Sequence, residues 1–138
     1  MGRLLAIDYG KKRTGIAVSD PLQIIANGLC TVETSKLFDF LSNYLQKEDV
    51  SGIVVGLPKQ MNNEPSENMK RVEPFVNRLR KLYPDISVEY WDERFSSRMA
   101  QQTIREAGLK KKDRQNKELV DEISATIILQ GYMERRLI

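Results

Sequence analysis

Three acidic residues carry most of the chemistry this sequence can offer. Asp8 ends a short apolar run and is followed by Tyr9-Gly10, while Glu93 follows Asp92 just past a second alternating run. Asp121 lies on the first turns of the last helical stretch, with the small residues Ser124 and Ala125 three and four positions on. Carboxylates gathered in one place repel one another unless a cation neutralises them, and oxygen ligands suit Mg²⁺ or Mn²⁺ rather than zinc. Two such ions about 4 Å apart can clamp a phosphodiester, one activating water and the other steadying the leaving oxygen. Each acid also has a plain role open to it: Asp8 could start a turn, Asp121 could favour a helix dipole, and Glu93 could pair with Arg94 or Arg98. Their joint placement, at two strand ends and one adjoining helix, is where ligands gather in open α/β sheets.

The absences narrow the chemistry further. The chain has no histidine, which excludes Ser-His-Asp and Cys-His triads, zinc sites with a histidine ligand and a histidine general base. The single cysteine, Cys30, can form neither an internal disulfide nor a multi-cysteine metal site, and within Leu29-Cys30-Thr31-Val32 it reads as a buried strand residue. The 22 basic and 19 acidic residues leave a net charge of +3, too small an excess to define a ligand by itself. Its distribution says more: Lys11-Lys12-Arg13 and Lys110-Lys111-Lys112 with Arg114 form two dense patches, either phosphate-gripping loops or solvated lysines. The segment from Gly10 to Gly15 has a glycine spacing like that of a P-loop, but Ile16-Ala17 stands where Lys-Ser/Thr is required.

The elements that would position these groups follow from periodicity. At 138 residues, 41% hydrophobic and 30% charged, the chain has room for one domain spanning residues 1–138, without repeats or a separating linker. Leu4 to Asp8, Gly15 to Ser19 and Ile24 to Val32 read as an antiparallel three-strand meander. Leu37, Phe38, Leu41, Tyr44 and Leu45 recur at helical spacing, with Thr34 or Ser35 as the N-cap. Ile53-Val54-Val55 is a strand buried on both faces, ending at Gly56-Leu57-Pro58. Val72, Phe75, Val76, Leu79 and Tyr83 mark a helix that either starts close to Pro74 or kinks there. Ile86 to Trp91 alternates as a strand, Ser96 to Gly108 reads as a helix, and a last helix runs from about Lys117 to Met133. Strand–helix alternation after a meander predicts one α/β domain with a mixed sheet covered by helices. No apolar run is long enough to span a bilayer. Met1 leads straight into a strand-like run without the pattern of a signal peptide, so the expected location is cytoplasmic.

The motifs, taken in order, resemble the YqgF family of bacterial Holliday-junction-resolvase-like proteins, also described as nucleases for the 5′ end of pre-16S ribosomal RNA. They are Asp8-Tyr-Gly-Lys-Lys-Arg-Thr-Gly-Ile-Ala-Val-Ser-Asp20, Val55-Gly-Leu-Pro58, Trp91-Asp-Glu-Arg94 and Asp121-x-x-Ser-Ala-x-x-Ile-Leu-Gln130, which together span essentially the whole chain. The resemblance implies an RNase H-like fold, a mixed five-stranded sheet in the order 3-2-1-4-5 flanked by helices, with a metal-dependent nuclease site. Asp8, Glu93 and Asp121 would be the acids that hold Mg²⁺ or Mn²⁺, with Asp92 a further candidate. Lys12, Arg13, Thr14 and Arg94, with Lys110, Lys111 and Lys112, would meet the phosphates of the nucleic acid. The loop Lys59-Gln-Met-Asn-Asn-Glu-Pro65 departs from the glycine-rich loop common in the family. The substrate would be an rRNA precursor or branched DNA, and a resolvase acting on a two-fold symmetric junction would be a homodimer. Two other classes share the fold. A nucleotide-binding module of the actin and sugar-kinase type needs two such domains, and a non-catalytic RNA-binding assembly factor would keep the fold without turnover.

Overall fold

The computed structural model describes residues 2–57, 69–92 and 117–136, with side chains except at 69, 117–121 and 136. Strand β1 (Arg3–Asp8) runs parallel to β4 (Val50–Leu57), and both are near-continuous apolar runs because both of their faces are covered. Strands β2 (Arg13–Ser19) and β3 (Ala26–Glu33) fold back antiparallel as the expected meander, and β5 (Ser87–Asp92) lies parallel beyond β4. The sheet order is β3-β2-β1-β4-β5. This is the order that the resemblance implied.

Helices α1 (Leu37–Lys47) and α2 (Met69–Leu82) cover one face, and α3 (Lys117–Arg136) covers the other. Alternation along the strands divides the core accordingly. Leu5, Ile7, Ile16, Val18, Ile53 and Val55 pack with Leu41 of α1 and with Val76 and Leu79 of α2. The opposite face carries smaller residues, Ala6 and Ala17, against Ala125, Ile128 and Leu129 of α3. Small side chains let α3 sit close to the sheet, and Gly56 carries this furthest: a Cβ there would collide with the side chain of Ile128. No helix among the described residues is long and apolar enough to cross a membrane.

The structure differs from the periodicity reading in three places. Strand β3 begins at Ala26 rather than Ile24, because the Asp20 carboxylate accepts the backbone N–H groups of Leu22, Ile24 and Ile25 at 3.2, 2.7 and 2.8 Å. Gln23 takes a left-handed φ of 59° in that turn, and its side-chain amide donates to the Gly2 carbonyl at 2.7 Å and to Ser51 Oγ at 3.0 Å. Leu22, Ile24 and Ile25 are left exposed at the tip. Neither Thr34 nor Ser35 caps α1; they lie in a 3₁₀ turn, Thr34–Lys36, that leads into it, and the α1 N-cap, Lys36, makes no side-chain cap bond. Pro74 lies inside α2, where it forgoes one intrahelical hydrogen bond to the Lys70 carbonyl. The predicted helix from Ser96 to Gly108 lies outside the described residues.

Candidate active site

Asp8 is positioned by the pleat of β1. Leu4 and Ala6 face α3, and the alternation carries Asp8 to the same side at the carboxyl end of the strand. Asp8 pairs with Gly15 of β2, and the register that sets Ile7 opposite Val55 brings Gly56 alongside from β4. The half-buried carboxylate therefore stands in a cross-sheet row between two residues that raise no side chain. On the Gly56 flank, Ile128 uses the space, so α3 is held close beside Asp8.

Of the partners expected for Asp8, the described residues include Asp92 and the backbone of Asp121. Asp121 belongs to α3, one turn before Ala125, which is wholly buried against the sheet; the Asp121 side chain lies outside the described set. Glu93 follows directly on β5 and lies outside the described residues, as do Arg94 and Lys110, Lys111 and Lys112. Asp92 closes β5. Val88 and Tyr90 pack with the α1–α2 side whereas Trp91 packs with α3, so alternation assigns Asp92 to the face opposite Asp8. No group of three acidic, histidine or cysteine residues able to hold a metal occurs among the described residues. Of the three expected metal acids, only Asp8 has a described side chain.

The connection between β1 and β2 is held beside Asp8 by a hydroxyl chain. Thr34 Oγ1 donates to the Gly10 carbonyl at 2.6 Å, so Thr14 Oγ1, 2.9 Å from Thr34 Oγ1, is left to donate to it. The Thr34 N–H also donates to the Lys12 carbonyl at 3.0 Å. Glycine is needed at position 10, because a Cβ there would collide with the Arg13 carbonyl oxygen. So held, the loop turns Lys11 and Lys12 to solvent, and Arg13 stands opposite Glu33 in the β2–β3 register. An open depression of about 490 Å³ runs beside these three basic residues, bordered by Thr31 and Ser35.

Thr14 departs from its expected role. It is fully buried and its hydroxyl is engaged with Thr34, so it braces the loop from within rather than meeting a phosphate. The residue that sequence reasoning missed is Thr34, which resembles a helix cap; a threonine just before a helical period carries no signal that its hydroxyl is used across 24 residues. Cys30 is half-buried in β3, where burial, reinforced by the charge of Glu122, pushes its thiol pKa up. It is correspondingly a poor nucleophile.

The chain matches the family RuvX, described as Holliday junction resolvase, over residues 2–135. It is 68% identical over 136 residues to a protein of Bacteroides fragilis named "Putative pre-16S rRNA nuclease", covering 99% of each chain. A protein of the same name from Flavobacterium psychrophilum is 54% identical over 137 residues, covering 99% of this chain and all of that one. Among solved structures, RuvC of T. thermophilus in complex with a Holliday junction substrate superimposes with a TM-score of 0.65 at 15% identity, covering 99% of this chain and 96% of that one. That likeness confirms the RNase H-like fold. The unbroken match, the sheet order and the acid at the end of β1 agree: the chain belongs to the RuvX (YqgF) family.

Proposed function

We propose that this protein is a metal-dependent nuclease that hydrolyses phosphodiester bonds in the 5′-end processing of pre-16S rRNA. The observation that carries the reading is the setting of Asp8: a half-buried carboxylate at the end of β1, between two glycines, with a braced basic loop directly behind it. Relatives at 54–68% identity named for pre-16S rRNA favour RNA over branched DNA as the substrate.

Asp8 would hold the cation together with Glu93 and Asp121. The opposite facing of Asp92 makes Glu93 the better member of the acidic pair for this role. Carboxylate donors, with no histidine in the chain and its one cysteine on β3, fit a hard cation such as Mg²⁺ or Mn²⁺. When bound, that ion would supply charge neutralisation at the scissile phosphate and a more acidic water. Lys11, Lys12 and Arg13 would draw in and align the phosphates that flank it, and the Thr14–Thr34–Gly10 chain would keep them in register with Asp8.

The experiment is to present the purified protein with a 5′-extended 16S precursor and, separately, a four-way DNA junction, each with Mn²⁺ or EDTA. Cleavage of the precursor with metal and none with EDTA is the expected outcome. Preference for the junction would move the substrate to branched DNA. Tight binding with no cleavage of either would make the protein a non-catalytic RNA-binding factor.

A further inference from the structure

The described structure holds a second recess, at the sheet edge opposite the basic loop. Strand β5 ends the sheet, and the last turns of α3 stand over it without covering it fully. Between them lies an open cleft of about 740 Å³, within the size range of sites for small molecules. The rings of Trp91 and Tyr132 wall it, with Leu57, Glu89, Tyr90, Asp92 and Arg135 also lining it. Trp91 and Tyr132 meet edge to face with ring centroids 5.9 Å apart, and the Tyr132 hydroxyl donates to Glu89 Oε2 at 2.7 Å. The two rings are thus held against each other, Trp91 buried and Tyr132 anchored through its hydroxyl.

The cleft is also aligned with Asp8. Trp91 pairs with Gly56, and Gly56 stands beside Asp8 one residue beyond the Ile7–Val55 pair. Trp91 and Asp8 therefore share one cross-sheet row on the α3 face, two strand spacings or about 10 Å apart. That is the reach of the next one or two nucleotides along a strand whose phosphate lies at Asp8.

We propose that this cleft receives an unpaired nucleobase of the substrate strand, one or two nucleotides from the bond that is cut. The inference rests on the nucleic-acid reading above and adds where a neighbouring base goes. A flat, polarisable ring is the natural occupant of a recess with aromatic walls, since any base can stack on such a surface. Glu89 selects against a phosphate in the same place and offers acceptor capacity to a base amino or imino N–H. Arg135 suits the phosphate that follows. The consequence is a requirement for single-stranded substrate at this position, because a base held in a duplex cannot enter.

Trp91 is the only tryptophan, so its emission reports on this cleft alone. The test titrates wild-type protein, in EDTA and low salt, with a fluorescein-labelled twelve-nucleotide RNA, single-stranded or annealed to its complement. Anisotropy follows binding in parallel, with unlabelled RNA used for the emission. Trp91 emission is expected to change with single-stranded RNA and stay unchanged with the duplex. Tyr132→Ala, checked by circular dichroism, should weaken single-strand binding about tenfold, the size of one base–aromatic stack. Tyr132→Phe, which keeps the ring, should bind within about twofold of wild type. Should Tyr132→Ala fail to fold, the wild-type emission decides. Binding by anisotropy with Trp91 emission unmoved would overturn the cleft and leave the nucleic-acid reading standing. Absence of binding to either RNA would overturn both.

Discussion

Thr34 connects more of this site than its position in the sequence suggests. One hydroxyl joins the Gly10 carbonyl to the buried Thr14, and the same residue's N–H holds the Lys12 carbonyl. Thr34→Val keeps the shape and removes the chain's centre, stranding a buried donor. It should cost about 1–3 kcal/mol in denaturant titration. Cleavage should fall further than the lost stability explains, because the loop is no longer fixed beside Asp8. Asp20 offers a separate test at the other end of the sheet. The backbone N–H groups of the turn, that of Ile25 foremost, hold its carboxyl below the ordinary value of 3.8. A depressed folded-state pKa means that its stabilisation is fully present above about pH 3.8 and is lost as pH falls through the folded value. Thermal midpoints of wild type and Asp20→Asn should therefore differ most near neutrality and converge as pH falls through the lowered folded-state value.

At the scale of elements, the approach of α3 to β4 beside Asp8 can be tested at one residue. A methyl group at Gly56 would collide with the side chain of Ile128, which must shift. Gly56→Ala should destabilise by about 1–3 kcal/mol, the usual cost of overpacking, read from chemical denaturation. It should also lower cleavage, since α3 carries Asp121. Gly56 shows how far the sequence could be read. Its place in a Val-Val-Gly-Leu-Pro run marks the end of a buried strand, but that glycine admits a helix 72 residues later is a tertiary fact. Among the described residues, the strands, helices and sheet order were accessible from periodicity and from the motif resemblance. The start of β3 was not, because Ile24 and Ile25 are as apolar as a strand requires and only the Asp20 side chain holds them in the turn. At the site, the position of Asp8 was legible in the run that ends on it. The facing of Asp92 required the register, and the burial of Thr14 required the loop.

For the whole molecule, the modest charge of +3 matters through its placement. Lys11 and Lys12 are exposed on the loop behind Asp8, where phosphates would release their counterions on binding. The logarithm of the RNA binding constant should fall linearly with the logarithm of salt concentration. Lys12→Ala should reduce that slope by about 0.7, the contribution of one single-strand phosphate contact. A slope unchanged by the substitution would remove Lys12 from the binding surface. On this reading Asp8 serves hydrolysis rather than folding or binding. The most direct test compares wild type with Asp8→Asn on a 5′-extended 16S precursor in Mn²⁺, measuring cleavage, RNA affinity and thermal midpoint on the same preparations. Cleavage should fall by about 10²-fold or more, since even groups one layer out from a metal cost 10–100-fold. Affinity and midpoint should stay close to wild type. Undiminished cleavage, or an Asp8→Asn protein that no longer folds, would contradict the account.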